Sequence, residues 1–329
     1  MGRYNDEMKL IEDVLKPKQF AASRDGFGKG LVELGEKNPN VWVLTCDVSE
    51  SSRTHWFQEK FPKRFVQVGI AEQNMVGVAV GIASCGKTVF ASSYGVFNPG
   101  RNFDQVRVSV CYSNANVILH GSHTGLTVGP DGATHQALED VAIARALPNM
   151  VVVAPADYEE AKKATISLGE RSGPAYIRTS RGKFPAFTTS ETPFEIGKAN
   201  AYREGKDVAL FAIGPLVYES LVAAERLGNE GIDCAVVDCH TIKPIDRKAV
   251  VEWAKKCGLI ITVEEHQIDG GMGSAVCEVL AEEYPTRVVR HGMYNMFGES
   301  GSPAELLRKY GLDADGIAKK VKESMKMKR

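Results

Sequence analysis

Uninterrupted apolar runs of strand length recur along this chain, each followed by a segment of helical period. They are VWVLTCD (41–47), FVQVGI (65–70), TVFASSY (88–94), NVILHGS (116–122), MVVVAPA (150–156) and AYIRTS (175–180). A strand with one solvated face alternates apolar and polar residues, whereas a strand covered on both faces does not. The pattern predicts a mostly parallel sheet with helices on either side, the α/β class. DYEEAKKATISLGE shows how such a helix can start: Asp157 takes the N-cap position and Glu160 follows three residues later, as in a capping box.

A stretch rich in Thr, Ser and Pro (185–194) interrupts this rhythm, which then restarts with VALFAIG (208–214), CAVVDCH (234–240), LIITVEE (259–265) and TRVVRHG (286–292). Helices are expected near 216–229, 246–257 and 271–283, and SPAELLRKYG has Ser302 as N-cap, Pro303 at N1, Glu305 at N3 and Gly311 as its stop. A chain of 329 residues accommodates two domains. We expect two doubly wound domains with a boundary near residue 190, the second being the smaller. No internal repeat is visible.

A net charge of −1 gives no reason to expect a nucleic-acid partner. The longest apolar stretch, 75–85, is too short and too glycine-rich to span a bilayer. The N-terminal MGRYNDEMKLIEDVLK is acidic and has no apolar signal core. Seven cysteines, an odd number without CxxC pairs, suit reduced thiols. The expectation is a cytoplasmic protein that binds neither membrane nor nucleic acid.

In doubly wound sheets, ligands bind at the carboxyl ends of the strands. Here those ends carry TCDVSESS, GIAEQN, SSYGVFNPGR, GSHTGLTVGPDGATHQ and RTSRGKF. The chain has no GxxxxGK[ST], GxSxG or HExxH; DGFGKG does not follow a strand, and DGGMGS, which follows one and starts a helix, lacks the GxGxxG spacing. His123, Asp131 and His135 could in number supply a metal site, but no helical HxxxH pairing supports one, so no metal ligand is expected. VGIAEQNM poses the sharper question, because Glu72 stands between an apolar strand and an apolar helix. A buried ionised carboxylate is costly unless something compensates it. By its residues alone, Glu72 could simply stabilise the N-terminus of the next helix. In that helix Gly77 and Gly81 stack on one face, which suits close packing inside the domain or at a subunit interface.

VGIAEQNMVGVAVGIASCGKTVFASSY, VGPDGATHQALEDVAIARALPNMVVVAPAD and HTIKP together resemble the transketolase family over roughly residues 20 to 325. The resemblance implies a pyrimidine-binding domain (1–190) and a transketolase C-terminal domain (191–329). It implies thiamine diphosphate as cofactor, with Glu72 sharing a proton with the cofactor's aminopyrimidine. Tyr94 and Phe97 match the aromatic platform beneath that ring, Asp47 matches an acid near the cofactor, and Phe90 reads as core. His123, Asp131 and His135 match positions around the sugar, with the two histidines placed for proton relay. Arg24, Ser51 and Arg181 match positions that hold the substrate phosphate.

Full-length members carry a GDG motif that binds Mg²⁺ and the diphosphate, and no GDG occurs in this sequence. The resemblance therefore implies the C-terminal subunit of a split transketolase, completed by an N-terminal subunit that holds Mg²⁺. Self-association through the first domain would give an α2β2 assembly acting on phosphosugars. Alternatives of the same fold are the β subunit of a 2-oxoacid dehydrogenase, a deoxyxylulose-phosphate-synthase-like enzyme and a non-enzymatic regulatory or scaffolding chain. GPDGATHQ with Arg181 favours a phosphosugar over a 2-oxoacid, and Glu72 with both loop histidines favours an enzyme.

Overall fold

The computed structural model describes residues 4–326. In chain order the strands are β1 (Phe20–Ala21), β2 (Val41–Thr45), β3 (Phe65–Gln67), β4 (Thr88–Tyr94), β5 (Val117–Ser122), β6 (Val151–Val153), β7 (Ala175–Arg178), β8 (Phe184–Pro185), β9 (Asn200–Arg203), β10 (Val208–Ala212), β11 (Cys234–Asp238), β12 (Thr241–Lys243), β13 (Leu259–Gln267) and β14 (Arg287–Met293). The helices are α1 (Ser23–Lys37), α2 (Ser49–Ser52), α3 (His55–Lys60), α4 (Glu72–Ser84), α5 (Phe103–Gln105), α6 (Asp140–Arg145), α7 (Tyr158–Glu170), α8 (Leu216–Asn229), α9 (Arg247–Cys257), α10 (Met272–Glu283), α11 (Pro303–Lys309) and α12 (Ala314–Lys326). A widened, π-type turn, Val106–Tyr112, continues α5.

The larger of the two main sheets has the order β12-β6-β7-β5-β4-β2-β3 and the smaller β14-β13-β10-β11-β9, while β1 and β8 pair separately as a two-stranded antiparallel ribbon. Both main sheets are mostly parallel, each with one antiparallel edge strand, β12 and β9. The α/β class follows from the apolar runs, as expected: every residue of β5, β10 and β11 is buried. Full burial of a Val, Leu, Ile or Phe contributes roughly 1.5–3 kcal/mol. One core under the first sheet gathers Phe27, Leu31, Val43, Phe57, Phe90 and Ile118. The sequence did not reveal β12, which lies late in the chain yet extends the first sheet beside β6. Three residues with a polar flank carry too little pattern to mark a strand.

DGFGKG is neither a turn nor a nucleotide loop but lies inside α1. A Cβ on Gly26 would stand 2.0 Å from the Tyr158 carbonyl oxygen, and one on Gly30 2.8 Å from that of Lys162, so these glycines let α1 lie against α7. Gly77 and Gly81 of α4 behave oppositely, since a Cβ at either would meet nothing within 4 Å. Exposed Ile70, Val108 and Tyr112 belong to the same part of the chain, in the turn before α4 and the π-type turn that packs on it. The glycine face of α4 thus meets no other side chain or backbone among the described residues.

Asp157 caps α7 by accepting from the Glu160 amide at 3.1 Å, but the Glu160 carboxylate takes the Ala156 amide, at 2.6 Å, instead of closing the box on Asp157. Ser302 and Glu305 form the complete reciprocal box at α11. Across the two halves, Gln136 Nε2 donates to the Glu299 carbonyl at 2.9 Å, and the Thr127 amide donates to Glu265 Oε2 at 2.8 Å. The loop after β5 is therefore anchored from the C-terminal half. Among the described residues no helix is long and apolar enough to cross a membrane.

Candidate active site

Strand ends place most of the candidate side chains. Asp47 follows β2, Glu72 opens α4 just after β3, Tyr94 ends β4, His123 follows β5 and Arg181 follows β7. Arg24 lies in the first turn of α1, and Ser51 in α2. His123 (φ 57°) and Asp47 (φ 61°) both adopt left-handed backbone conformations. Such strain persists where the surrounding structure enforces it, and it gathers at functional sites.

Glu72 is 1% exposed. Its Oε2 accepts from Arg101 Nη1 at 2.6 Å and its Oε1 from Ser93 Oγ at 2.8 Å, while Asn102 Nδ2 donates to its carbonyl at 3.4 Å. The compensation is therefore an ion pair, and the purely apolar surroundings suggested by the flanking residues are not found. Arg101 also lies over the Phe97 ring, 4.4 Å from its centre. From there aromatic contacts continue without a gap. Phe97 stacks near Tyr94 (6.3 Å between centroids), the His135 ring stands edge-on to both, and Tyr94 stacks on His123 at 4.2 Å.

His123 is 2% exposed. Arg24 Nη1 donates to its Nε2 at 3.1 Å, so its Nδ1 carries the proton and donates to Ser122 Oγ at 2.8 Å. Burial first, then the charges of Arg24, Arg181, Arg53 and the His135 ring, push its pKa down to about 3. His123 is neutral at physiological pH and serves as a fixed hydrogen-bonding group. Arg24 Nη1 also donates to the Ser51 carbonyl at 2.8 Å, so the backbone of Ser51, not its hydroxyl, makes the link. Arg181 Nη1 donates to the Val128 carbonyl at 2.8 Å and pairs with Asp131 at 3.3 Å. His135 Nδ1 lies 2.9 Å from Thr134 Oγ1.

These contacts bring Glu72, Phe97, Tyr94, His135, His123, Arg24 and Ser51 into one connected site, with Arg181 and Asp131 near enough for Arg181 to act on His123. Asp47 is exposed, and its amide donates to Gln67 Oε1 at 2.6 Å, outside that chain of contacts. Phe90 is core, edge-on to Phe27. Sequence reasoning missed Arg101 and Ser93, the partners of Glu72, and Arg53, a third guanidinium near His123, which is tied to Asp25 at 2.6 Å. It also missed His120, which lies stacked on Phe27 at 3.5 Å between Ser92 and Thr179 hydroxyls. Arg178 does not share the site with Arg181: it is buried in an ion pair with Asp140 at 3.0 Å.

The family model for the transketolase pyrimidine-binding domain matches residues 20–186, and that for the transketolase C-terminal domain matches 197–317. The chain belongs to the transketolase family. A transketolase C-terminal section of Methanocaldococcus jannaschii is 44% identical over 310 residues, covering 93% of this chain and 97% of that protein. The 6-deoxy-6-sulfo-D-fructose transketolase subunit of Clostridium sp. (strain MSTE9) is 38% identical over 300 residues, 91% of this chain and 93% of its own. Human transketolase, 38% identical, is matched over 48% of its length. A solved structure described as a split-gene transketolase, an inactive β4 tetramer, superposes with a TM-score of 0.87 at 45% identity, covering 94% of this chain and 99% of that one. The chain thus corresponds to the C-terminal part of a transketolase, and its family's chemistry is thiamine-diphosphate-dependent. A buried carboxyl group beside aromatic faces suits a planar heterocycle with ring nitrogens, so these residues fit the pyrimidine end of that cofactor.

Proposed function

We propose that this chain is the C-terminal subunit of a cytoplasmic transketolase, which transfers a two-carbon ketol unit between phosphorylated sugars together with a separate N-terminal subunit. The observation that carries the reading is the unbroken path of contacts from the buried Glu72 through Phe97, Tyr94 and His123 to Arg24. It sets a carboxyl group and aromatic faces at one end and guanidinium groups at the other. Glu72, Phe97 and Tyr94 would hold the cofactor's pyrimidine, with Asp47 at its margin. The cofactor supplies the carbanion chemistry at its thiazolium when bound; this chain would orient the pyrimidine and share a proton with it through Glu72. His123, neutral and accepting through its unprotonated Nε2, and His135 would bond the sugar hydroxyls, and Arg24, Arg181, Asp131 and Ser51 would form the end that takes the terminal anion.

The N-terminal partner would bring the GDG motif, the diphosphate site and Mg²⁺. The open face of α4, with Gly77 and Gly81, supports self-association through the first domain into an α2β2 assembly. The name of the Clostridium relative adds a second substrate for test, a ketose whose terminal anion is a sulfonate.

The test is reconstitution. The purified chain alone should show no ketol transfer. Adding a GDG-bearing partner, Mg²⁺ and thiamine diphosphate should restore it with a phosphoketose, a sulfoketose or both. Robust turnover by the chain in a partner-free preparation would overturn the split reading.

A further inference from the structure

Arg101 occupies both contacts that the proposed function gives to the cofactor's ring. Its Nη1 donates to Glu72 Oε2 at 2.6 Å, and its guanidinium carbon lies 4.4 Å from the centre of Phe97. A guanidinium is flat, donates N–H bonds in its plane and stacks on aromatic faces. An aminopyrimidine lying on Phe97 with a ring nitrogen toward Glu72 would use the same carboxylate oxygen and the same aromatic face.

The surroundings explain why a stand-in would be kept and how it could leave. Without a counter-ion Glu72 would be a lone buried charge, and removing one member of such a pair is costly because the other remains buried. Ser93 supplies a hydrogen bond to Oε1 but no charge. The Arg101 side chain is 44% exposed, so it can swing into water without unpacking the core. Its backbone is held in a tight turn, where a Cβ on Gly100 would stand 2.0 Å from the Val96 carbonyl oxygen, so the movement belongs to the side chain.

We propose that Arg101 is a placeholder for the cofactor's aminopyrimidine: it closes the Glu72–Phe97 pocket in the uncomplexed chain and leaves both groups when the ring binds. This rests on the function proposed above. It makes Arg101 a positioning residue whose resting contact opposes cofactor binding, the reverse of what a binding residue does.

The test uses the chain reconstituted with its partner and Mg²⁺, titrated calorimetrically with thiamine diphosphate. Arg101→Met removes the charge and the fork while keeping the stem. Freed from breaking a charge-assisted bond, this variant should bind roughly ten- to a hundredfold tighter than wild type. Arg101→Lys keeps the charge but not the flat fork and should fall between the two; it also serves if the Met variant folds poorly. A second readout needs no cofactor. In Arg101→Met the unpaired buried Glu72 resists ionisation, so thermal stability of the chain alone should fall more steeply from pH 5 to 8 than in wild type. Unchanged or weaker cofactor affinity in a folded variant, with wild type binding normally, would overturn the placeholder alone. Failure of the wild-type complex to bind the cofactor at all would overturn the proposed function, and the placeholder with it.

Discussion

Arg101 and Ser93 each satisfy one oxygen of the buried Glu72 carboxylate. Glu72→Gln preserves shape and the Ser93 contact but cannot exchange a proton. Under the proposed function, deuterium loss at the cofactor's C2 should slow by about 10²–10⁴-fold, the usual reach of a general acid–base group. A rate within a few-fold of wild type would remove Glu72 from the chemistry. Two arginines only three residues apart should separate in the same way. Arg181 is partly exposed and held by Asp131, whereas Arg178 is buried against Asp140. Arg181→Ala should lower kcat/KM for a phosphoketose, relative to its dephosphorylated form, by about ten- to a hundredfold, the worth of one charge-assisted bond. Arg178→Ala should leave that ratio alone and destabilise the chain by roughly 3–5 kcal/mol, the cost of breaking a buried ion pair. An unaltered ratio in Arg181→Ala would show that this loop does not hold the terminal anion.

Helices α1 and α4 both carry closely spaced glycines, and the structure assigns them opposite roles. In α1 the glycines admit the α7 backbone, so Gly26→Ala should destabilise the chain by about 1–3 kcal/mol or more through overpacking. In α4, Gly77→Ala and Gly81→Ala meet open space and should raise the stability of the isolated chain by up to about 1 kcal/mol through helix propensity. If that face joins two copies of the chain, the same substitutions should weaken assembly, as sedimentation of the reconstituted complex would reveal. Denaturant melts in which Gly26→Ala is neutral would undo the account of α1–α7 packing. At this scale the sequence was legible where pattern is long. The apolar runs marked the central strands of both sheets, and Ser302 with Glu305 marked the start of α11. It was mute where an element is short or its meaning lies in a distant partner. Strand β12 is three residues long, and whether a glycine stripe is filled depends on which helix arrives. The same limit hid Arg101, which stands 29 residues from Glu72 with no periodicity joining them; strand-end position marked its loop, but the family resemblance that singled out Glu72, Tyr94 and His123 gave it no role.

Over the whole molecule, the two halves of the chain are tied by strand β12 on the first sheet and by a buried acidic cluster between them. Glu160, from the first turn of α7, accepts the Ala156 amide, and the Tyr202 hydroxyl lies 3.0 Å from its Oε1 and 3.2 Å from Asp238 Oδ2. Among the described residues no donor faces the buried Asp238 Oδ1, an acceptor left open for a proton shared between the two carboxyls. Burial, with the charge of Asp157, lifts the Glu160 pKa to about 7 against the opposing hydrogen bond with Asp238, and burial beside Glu160 lifts Asp238 well above the usual carboxylate range. Both acids bind their proton more tightly folded than unfolded. The stabilisation from the shared proton is therefore complete below the unfolded value of about 4.5 and is lost as pH rises through about 7. For a fully buried pair the loss between pH 5 and 8 should be on the order of 3 kcal/mol, enough to lower Tm by several degrees. Asp238→Asn tests the cluster because its amide can donate to Glu160 at any pH, imitating the protonated acid. The variant should match wild type near pH 5 and exceed it at pH 8, flattening the descent. Buried histidines such as His123 and His240, held neutral with pKa values near 3, lose stability as pH falls below their unfolded value of 6.5, but they do so alike in wild type and variant, so the difference between the two still reads the cluster. Parallel slopes in wild type and Asp238→Asn between pH 5 and 8 would show that no proton is shared where the two halves meet.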